Sequence, residues 1–382
     1  MNRRLLFVVN VDWFFLSHRL PIALAAKDRG YEIHLATEFI DHAEELSGLG
    51  FHLHPLPSMR GRVGVVRSLI TMLALVKLFR RVKPDLVHLV TVRPVVLGGI
   101  AARIARIPSV LSAVSGLGYV FLDTGVRAVL RRAMVSRLYS MALRHRNLRV
   151  VFQNRDDRDE IVALAGLSDG QADIIRGSGV DLAVFVPSTP PPGVPLVMLA
   201  ARLLRDKGVL DFAAAARLLH QSEGTPAKFV RCVLVGDIDP GNPASLSREE
   251  LSDIAAEGAV EVWGARTGMH EVLSLASVIV LPSYREGLPR ILVEAAACGR
   301  AVVTTDVPGC RDAVEPDVTG LLVPPRDPQS LARAVRTLVD DPIRRAAMGR
   351  AGRALAERSF DIREIVDRHL AIYSELMRRA EG

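Results

Sequence analysis

Acidic residues are almost missing from one long stretch of this chain. Positions 58–149 hold 17 Lys and Arg but only two acids, Asp85 and Asp123, a local charge of +15. The other positions carry 32 basic and 40 acidic residues, a net −8, so the overall +7 conceals a basic region on an acidic protein. A region so biased seeks phosphates, whether on nucleic acid, on anionic lipid headgroups or on a phosphorylated substrate. Cysteine is also scarce. Cys232, Cys298 and Cys310 are too few for a disulfide framework and lack metal-site spacing, which suits reduced thiols in a cytoplasmic protein. Long apolar runs are absent too. No uncharged run reaches the roughly 18 residues of a spanning helix, and the longest, 107–122, is broken by Gly116 and Gly118. No secretory leader is expected, because MNRRLLFVVNVDW turns acidic at Asp12 and reads as a first strand. There is no repeat of solenoid period and no low-complexity tail.

What the chain does have is rhythm. Short apolar runs at 5–10, 32–36, 86–89, 109–113 and 149–153 read as buried strands, with amphipathic helices such as 16–28 and 94–105 between them. Strand and helix in alternation imply a parallel sheet covered on both faces. The segment VPSTPPPGVP, 186–195, reads as a linker, after which strands recur at 196–200, 230–235, 259–262, 278–281 and 301–304. From about 361, Ile362, Ile365, Val366, Leu370, Tyr373 and Met377 form one stripe of a terminal helix. The expected fold is therefore α/β, with two doubly wound domains, 1–185 and 196–360, and a helix at 361–382 packing back toward the first domain. Ligands of such sheets bind beyond the carboxyl ends of the strands, and two domains can set those ends across a cleft.

Four loops at such ends of the second domain carry ligand-friendly residues. After 196–200 comes ARLLRDKGV, where Arg202 and Lys207 beside a helix start suit a diphosphate; two solvated charges are the plainer alternative. The next strand ends at Gly236, which lets backbone approach a ligand. Gly264 and Arg266 occupy the third loop, where a base or a plain turn fits equally. The fourth is REGLPRILVEAAACG. Pro289 fits the first helical turn and Gly299 the position past its end, which predicts a helix over 289–298. Its start at Gly287 and Leu288 offers N–H groups to an anion. Glu286 there either caps the helix or accepts hydrogen bonds from sugar hydroxyls. Glu294, set among alanines, needs partners, and the vicinal hydroxyls of a ribose would serve.

In the first domain, His18 follows the first strand in a loop with Asp12, Trp13 and Phe14, and is a candidate for positioning a substrate or an ordinary helix-start histidine. The Ser115–Gly116 turn is a second candidate. The basic region includes MRGRVGVVRSLITMLALVKLFRRVK, where Arg60, Arg62, Arg67, Lys77, Arg80 and Arg81 accompany Val66, Leu69, Ile70, Leu73, Val76 and Leu78. A second basic helix is expected over 127–149. Basic amphipathic helices lie on anionic bilayers, although a core helix with snorkelling arginines reads the same way.

Taken in order, ARLLRDKG, GARTGMHEVL and LPSYREGLPRILVEAAACGRAVVTTDVPGCRDAV resemble the C-terminal domain of glycosyltransferase family 4. That family comprises retaining enzymes of the GT-B fold, with two facing Rossmann-like domains and a deep cleft. Glu286 and Glu294 match its E-x7-E signature, and Arg202 with Lys207 its basic pair. VDWFFLSHRLPIALAAKDRG, SAVSGLGYVF and GDIDPGNPASL resemble the subgroup that extends sugars on undecaprenyl diphosphate, including bacterial N-acetylgalactosaminyltransferases. The chain departs from the family in carrying NVDWFFLSHR where many members have a Gly-Gly pair.

The resemblance implies that Arg202 and Lys207 hold the donor diphosphate and stabilise it as it leaves. Glu294 would bind the ribose, Glu286 the donor sugar, Gly287 and Leu288 the phosphate or sugar, and Arg266 would lie beside the base. The expected donor is a UDP-sugar, with an N-acetylhexosamine as the sugar, and the acceptor a polyprenyl-diphosphate-linked glycan of a bacterial surface polysaccharide such as O-antigen or capsule. No Asp-x-Asp metal motif and no metal cofactor are expected, the helix end and basic pair standing in for a divalent ion. The place implied is the cytoplasmic face of the inner membrane, without nucleic acid as a partner. A sugar-nucleotide epimerase of the same fold, another nucleotide donor, or a soluble acceptor are the alternatives. A nucleic-acid-binding protein is disfavoured for want of a recognition motif or aromatic platform.

Overall fold

A computed structural model describes residues 3–59, 61, 64–117, 126–221 and 230–381. In the helix Val126–Ala142 it describes side chains only from Met134 onward. The chain forms two compact units, one of residues 1–178 with 363–382 and one of residues 179–362.

The first unit is built on seven parallel strands: β1 Arg4–Val11, β2 Glu32–Glu38, β3 His52–Pro55, β4 Leu86–Val90, β5 Ser109–Val114, β6 Leu148–Phe152 and β7 Ala172–Ile174, in the order β3-β2-β1-β4-β5-β6-β7. The second has six: β8 Leu196–Ala200, β9 Arg231–Val235, β10 Glu261–Gly264, β11 Val278–Leu281, β12 Ala301–Thr305 and β13 Gly320–Val323, in the order β10-β9-β8-β11-β12-β13. Both are the doubly wound arrangement. The order reverses between β1 and β4 in one sheet and between β8 and β11 in the other, and such switch points open a crevice at the carboxyl edge.

The strands are apolar runs because both faces are covered. In β1, Leu6 and Val8 join Val87, Leu89, Val110 and Val150 on one face. Leu5, Phe7 and Val9 join Leu111 and Val151 on the other. That second face is closed by the terminal helix Ile362–Glu381, which buries Ile365, His369, Leu370, Ile372, Tyr373, Leu376 and Met377.

Several boundaries differ from those expected. The segment 186–195 is not a linker. It lies inside the second unit, where Arg300 donates to Ser188 O and to Ser188 Oγ, both at 2.6 Å. The crossings fall at 178/179 and 362/363, and there the two segments run side by side: Val180 N donates to Phe360 O at 2.8 Å and Ile362 N to Val180 O at 3.1 Å. The helix expected over 16–28 is two helices, Asp12–His18 and Leu20–Asp28, and Asp12, Trp13 and Phe14 are therefore helical rather than loop. The basic helix expected over 127–149 stops at Ala142, and Arg149 sits on β6, paired with Asp173 and Glu375. Strands β3, β7 and β13 were not anticipated. They have four, three and four residues, too few for a period to show.

Candidate donor-binding site

The second unit gathers its candidate residues at the β8/β11 switch point. Pairing of Val197 with Val278 and Met198 with Ile279 sets the loops after these strands beside each other. Tyr284 N donates to Asp206 O at 2.9 Å and ties the two loops together. Lys207, the last residue of the 3-10 turn Arg205–Lys207, reaches across and forms an ion pair with Glu286. Ser283 Oγ donates to the same carboxylate oxygen of Glu286 at 2.7 Å. These two side chains are only 20% and 12% exposed, so the pair is largely shielded from water.

The loop carrying Glu286 is also fixed from β12. Thr304 Oγ1 donates to Leu281 O at 2.6 Å, and Glu286 N donates to Pro308 O at 3.1 Å. Gly309, at φ +82°, sits so close that a Cβ there would lie 2.4 Å from Glu286 O and 2.5 Å from Gly287 O. The helix that follows runs Arg290–Ala297. Pro289 is its N-cap rather than a first-turn residue, and no side chain caps this end. Gly287 and Leu288 are buried beside it, and a helix start without a side-chain cap is where backbone N–H groups can meet an anion. At the other end Gly299 N donates to Ala296 O and Arg300 N to Ala295 O, a Schellman motif with Gly299 at φ +67°.

Glu294 lies in mid-helix and is 5% exposed. Burial raises its pKa, and Arg290, one turn back at 2.6 Å, opposes the rise. Arg202 donates to Asp239 Oδ2 at 2.9 Å, bridging the loops after β8 and β9. Gly236 follows β9 at φ +137°, where a Cβ would lie 1.8 Å from Ala201 O, so only glycine lets these loops close. Arg266 is exposed after β10.

Two acids of this site were not anticipated. Asp206 is half-buried between the cations, and its Oδ1 is buried without a hydrogen-bond partner among the described residues. Burial raises its pKa, Lys207 lowers it and the charge of Glu286 raises it further. Asp239 was overlooked together with the Asp-x-Asp triplet it completes. Contrary to expectation the chain holds two such triplets, 157–159 and 237–239. In the second, Asp239 is engaged by Arg202 and Asp237 Oδ1 accepts from Ile238 N. In the first, buried Asp157 accepts from Asn154 Nδ2 at the start of the helix Arg155–Ala165, while Asp159 faces Arg158 on the surface.

The carboxyl edge of the first unit's sheet is shaped by Asp12. Burial would raise its pKa, but the N–H groups of Ile40, His42, Trp13 and Asp41 hold it below its ordinary value. It locks the β1 loop to the β2 loop. His18 ends the same short helix, stacked on Phe14 at 4.0 Å and hydrogen-bonded through Nδ1 to Ser17 Oγ at 2.6 Å. At the end of β4, Thr91 adopts φ +74°, a strained conformation for a β-branched residue. The Oγ atoms of Thr91 and Ser115 are buried without partners among the described residues, and so is Asn10 Oδ1. Gly116 follows at φ +103°. Asn10 near the end of β1, Thr91 just after β4 and Ser115 just after β5 thus hold unpaired polar atoms at the carboxyl edge of this sheet.

In the basic region, the helix Val65–Val82 buries Leu75, Leu78, Phe79 and Val82. Its other side exposes Val66, Leu69, Ile70 and Leu73, by 73%, 51%, 54% and 57%. Val76 and Leu78 of the same apolar set are core residues. Arg67, Lys77, Arg80 and Arg81 are exposed, whereas Arg60 and Arg62 lie outside the described residues, as do residues 118–125 and the side chains of Arg127, Arg131 and Arg132.

Comparison with known proteins agrees with this architecture. A family profile described as Glycosyl transferases group 1 matches residues 194–341, and one described as Glycosyl transferase 4-like matches residues 4–154. The chain belongs to the family 4 glycosyltransferases of the GT-B fold. It is 28% identical to the N,N'-diacetylbacillosaminyl-diphospho-undecaprenol alpha-1,3-N-acetylgalactosaminyltransferase of Campylobacter jejuni, over 95% of this chain and 98% of that one. It is 23% identical to the UDP-Gal:alpha-D-GlcNAc-diphosphoundecaprenol alpha-1,3-galactosyltransferase of Escherichia coli, over 84% of this chain and 83% of that one. Other relatives, matching only part of the chain, are D-inositol 3-phosphate glycosyltransferases. Among solved structures, Anabaena HepE in complex with UDP and glucose superposes with a TM-score of 0.75 at 20% identity, covering 97% of this chain and 99% of that one.

Proposed function

We propose that the protein is a retaining, metal-independent transferase that moves a sugar from a UDP-sugar to a polyprenyl-diphosphate-linked acceptor at an anionic membrane surface. An N-acetylhexosamine is the sugar we favour, in the assembly of a bacterial surface glycan at the cytoplasmic face of the inner membrane. The observation that carries the lipid-linked acceptor is the helix Val65–Val82. Its outer face runs from exposed Val66, Leu69, Ile70 and Leu73 into Lys77, Arg80 and Arg81. Such a face enters the headgroup region with its apolar part and meets anionic lipid with its cations. The similarity to two undecaprenol-linked transferases, over most of each chain, favours the same acceptor.

In this reading the donor diphosphate sits against the helix end at Gly287 and Leu288, between Arg202 and Lys207. As the sugar departs through an oxocarbenium-like state, negative charge grows on the phosphate. Fixed cations then stabilise the transition state more than the bound donor. Glu286 holds Lys207 in place in the donor-free site and accepts from the hydroxyls of the sugar. Glu294 accepts from the ribose, with Arg290 opposing the rise that burial gives the pKa of its carboxyl group. The carboxylate of Glu286 is already engaged by Lys207 and Ser283, which makes it a poor covalent nucleophile. Attack from the leaving-group side, with the phosphate taking the acceptor proton, needs no protein base. His18 and the unpaired oxygens of Asn10, Thr91 and Ser115 would orient the acceptor.

The test is a panel of nucleotide sugars offered with a short polyprenyl-diphosphate-linked sugar, a soluble sugar phosphate or no acceptor, in chelator, with products read by mass spectrometry and anomeric configuration by NMR. Transfer from a UDP-sugar to the lipid-linked acceptor with retention is expected. Transfer only to the soluble acceptor, or epimerised donor without acceptor, would overturn the proposal.

A further inference from the structure

Four residues outside the donor and acceptor loops share one face of the first sheet's edge. In a strand, alternate residues point the same way. Glu32 and His34 are therefore on one face of β2, and His52 and His54 on one face of the edge strand β3. The register pairs His34 with His52, so the two sets are brought side by side. Glu32 Oε1 lies 3.1 Å from His34 Nε2 and 3.4 Å from His52 Nε2. These three atoms all fall within 4.8 Å of one another. Around a tetrahedral zinc ion with bonds of about 2.0–2.1 Å, ligand atoms stand about 3.4 Å apart.

From this geometry we propose that Glu32, His34 and His52 form a binding site for a zinc-class divalent ion, with His54 supporting it. Two imidazoles and one carboxylate suit zinc, and the half-exposed position of His52 leaves a fourth place for water. The site has the outer layer that such sites need. His34 Nδ1 is 3.0 Å from His54 Nε2, and His54 Nδ1 is 3.3 Å from Arg81 Nη2. Arg4 Nε stands 3.5 Å from the other oxygen of Glu32. Arginine only donates, so in the metal-free protein His54 accepts at Nδ1 and donates from Nε2 to His34. His34 then keeps its proton on Nε2, pointed at Glu32. An ion taking that place moves the His34 proton to Nδ1 and the His54 proton from Nε2 to Nδ1, and displaces the exposed Arg81. No proton is lost in the exchange, and the His34 ring is then oriented by His54, as outer partners orient ligating histidines.

The site is structural rather than catalytic. Glu32 pairs with Arg4 at the start of both strands, and His52 is the first residue of β3. Substrate loops leave the opposite, carboxyl ends. An ion here would pin the short edge strand to its neighbour, a strand otherwise held through one side only.

The test uses the full chain, freed of any affinity tag and stripped with chelator, titrated with zinc against a chromophoric chelator. One zinc per chain is expected, with a dissociation constant below about 1 µM, and a higher Tm with zinc than without. His52→Ala and Glu32→Gln should each weaken binding at least about tenfold and His54→Ala about 10–100-fold. Each should leave metal-free Tm and sugar transfer near wild type. Cobalt(II) gives a readout that needs no variant: an intense tetrahedral visible spectrum supports the site, and the pale spectrum of the hydrated ion overturns it. Absence of one-to-one zinc binding, or binding unchanged in the His52→Ala/Glu32→Gln double variant, overturns it equally.

Discussion

Lys207 and Glu286 are 79 positions apart in sequence, yet their charges meet in a half-buried contact. Removing one member of such a pair leaves the other poorly solvated. Lys207→Ala should lower kcat about 100-fold or more, the usual scale for losing one donor to a developing oxyanion, while the KM for donor changes little. Glu294→Ala should do the reverse and raise the KM or Kd for donor at least about tenfold, since a ribose contact is made equally in ground and transition states. Wild-type constants in both variants, measured by steady-state kinetics and calorimetry, would refute the site.

Asp206 offers a pH test. Its folded pKa lies above the ordinary 3.8, chiefly through burial. The folded state therefore holds this proton more tightly than the unfolded state. The stability it contributes is present below 3.8 and is lost as pH rises through the raised value. Asp206→Asn, which mimics the protonated form, should raise Tm at neutral pH and flatten its decline over that window. A lower Tm at pH 7.5 would contradict this.

Among elements, the helix Val65–Val82 makes the clearest forecast. Burying a leucine contributes about 1.5–3 kcal/mol. Leu69→Glu/Leu73→Glu should therefore reduce binding to anionic vesicles more than tenfold, with folding unchanged because both residues are exposed. Vesicle flotation checks it, and unaltered binding would remove this helix from the membrane surface. The helix also shows how far sequence reading reaches. The apolar and basic positions at 66–81 were legible, but not which apolar residues face solvent. Val66 and Val76 look alike in sequence, and the packing of Val76 into the core is a tertiary fact. The short strands β3 and β13 were illegible for a related reason, since a few half-exposed residues carry no period. The two Asp-x-Asp triplets, by contrast, are plain in the sequence.

At the scale of the whole molecule, the terminal helix completes the first unit. Tyr373 is fully buried, and its hydroxyl is 2.6 Å from His88 Nδ1. Asn147 Nδ2 donates to Leu376 O at 2.7 Å and Arg149 pairs with Glu375, so β6 and the loop before it depend on the same helix. Tyr373→Ala should cost about 3–5 kcal/mol, the range for aromatic truncation in a core. Chemical denaturation should show this as a lower midpoint, and an unshifted midpoint would mean that the helix is dispensable.

The sequence by itself determined the alternation of strands and helices, the parallel sheets, the helix of the E-x7-E signature with its glycine stop, and the family. All of these rest on local spacing: period, caps, and motif order along the chain. Tertiary structure alone decided what lies between distant positions. It brought Lys207 to Glu286, Arg202 to Asp239 and His34 to His52. It also moved the unit boundary from the proline-rich segment to two crossing strands of chain. The reason is physical. Strand order and register set which loops become neighbours, and they follow from burying whole faces of a sheet, a cooperative choice that no single stretch of sequence records.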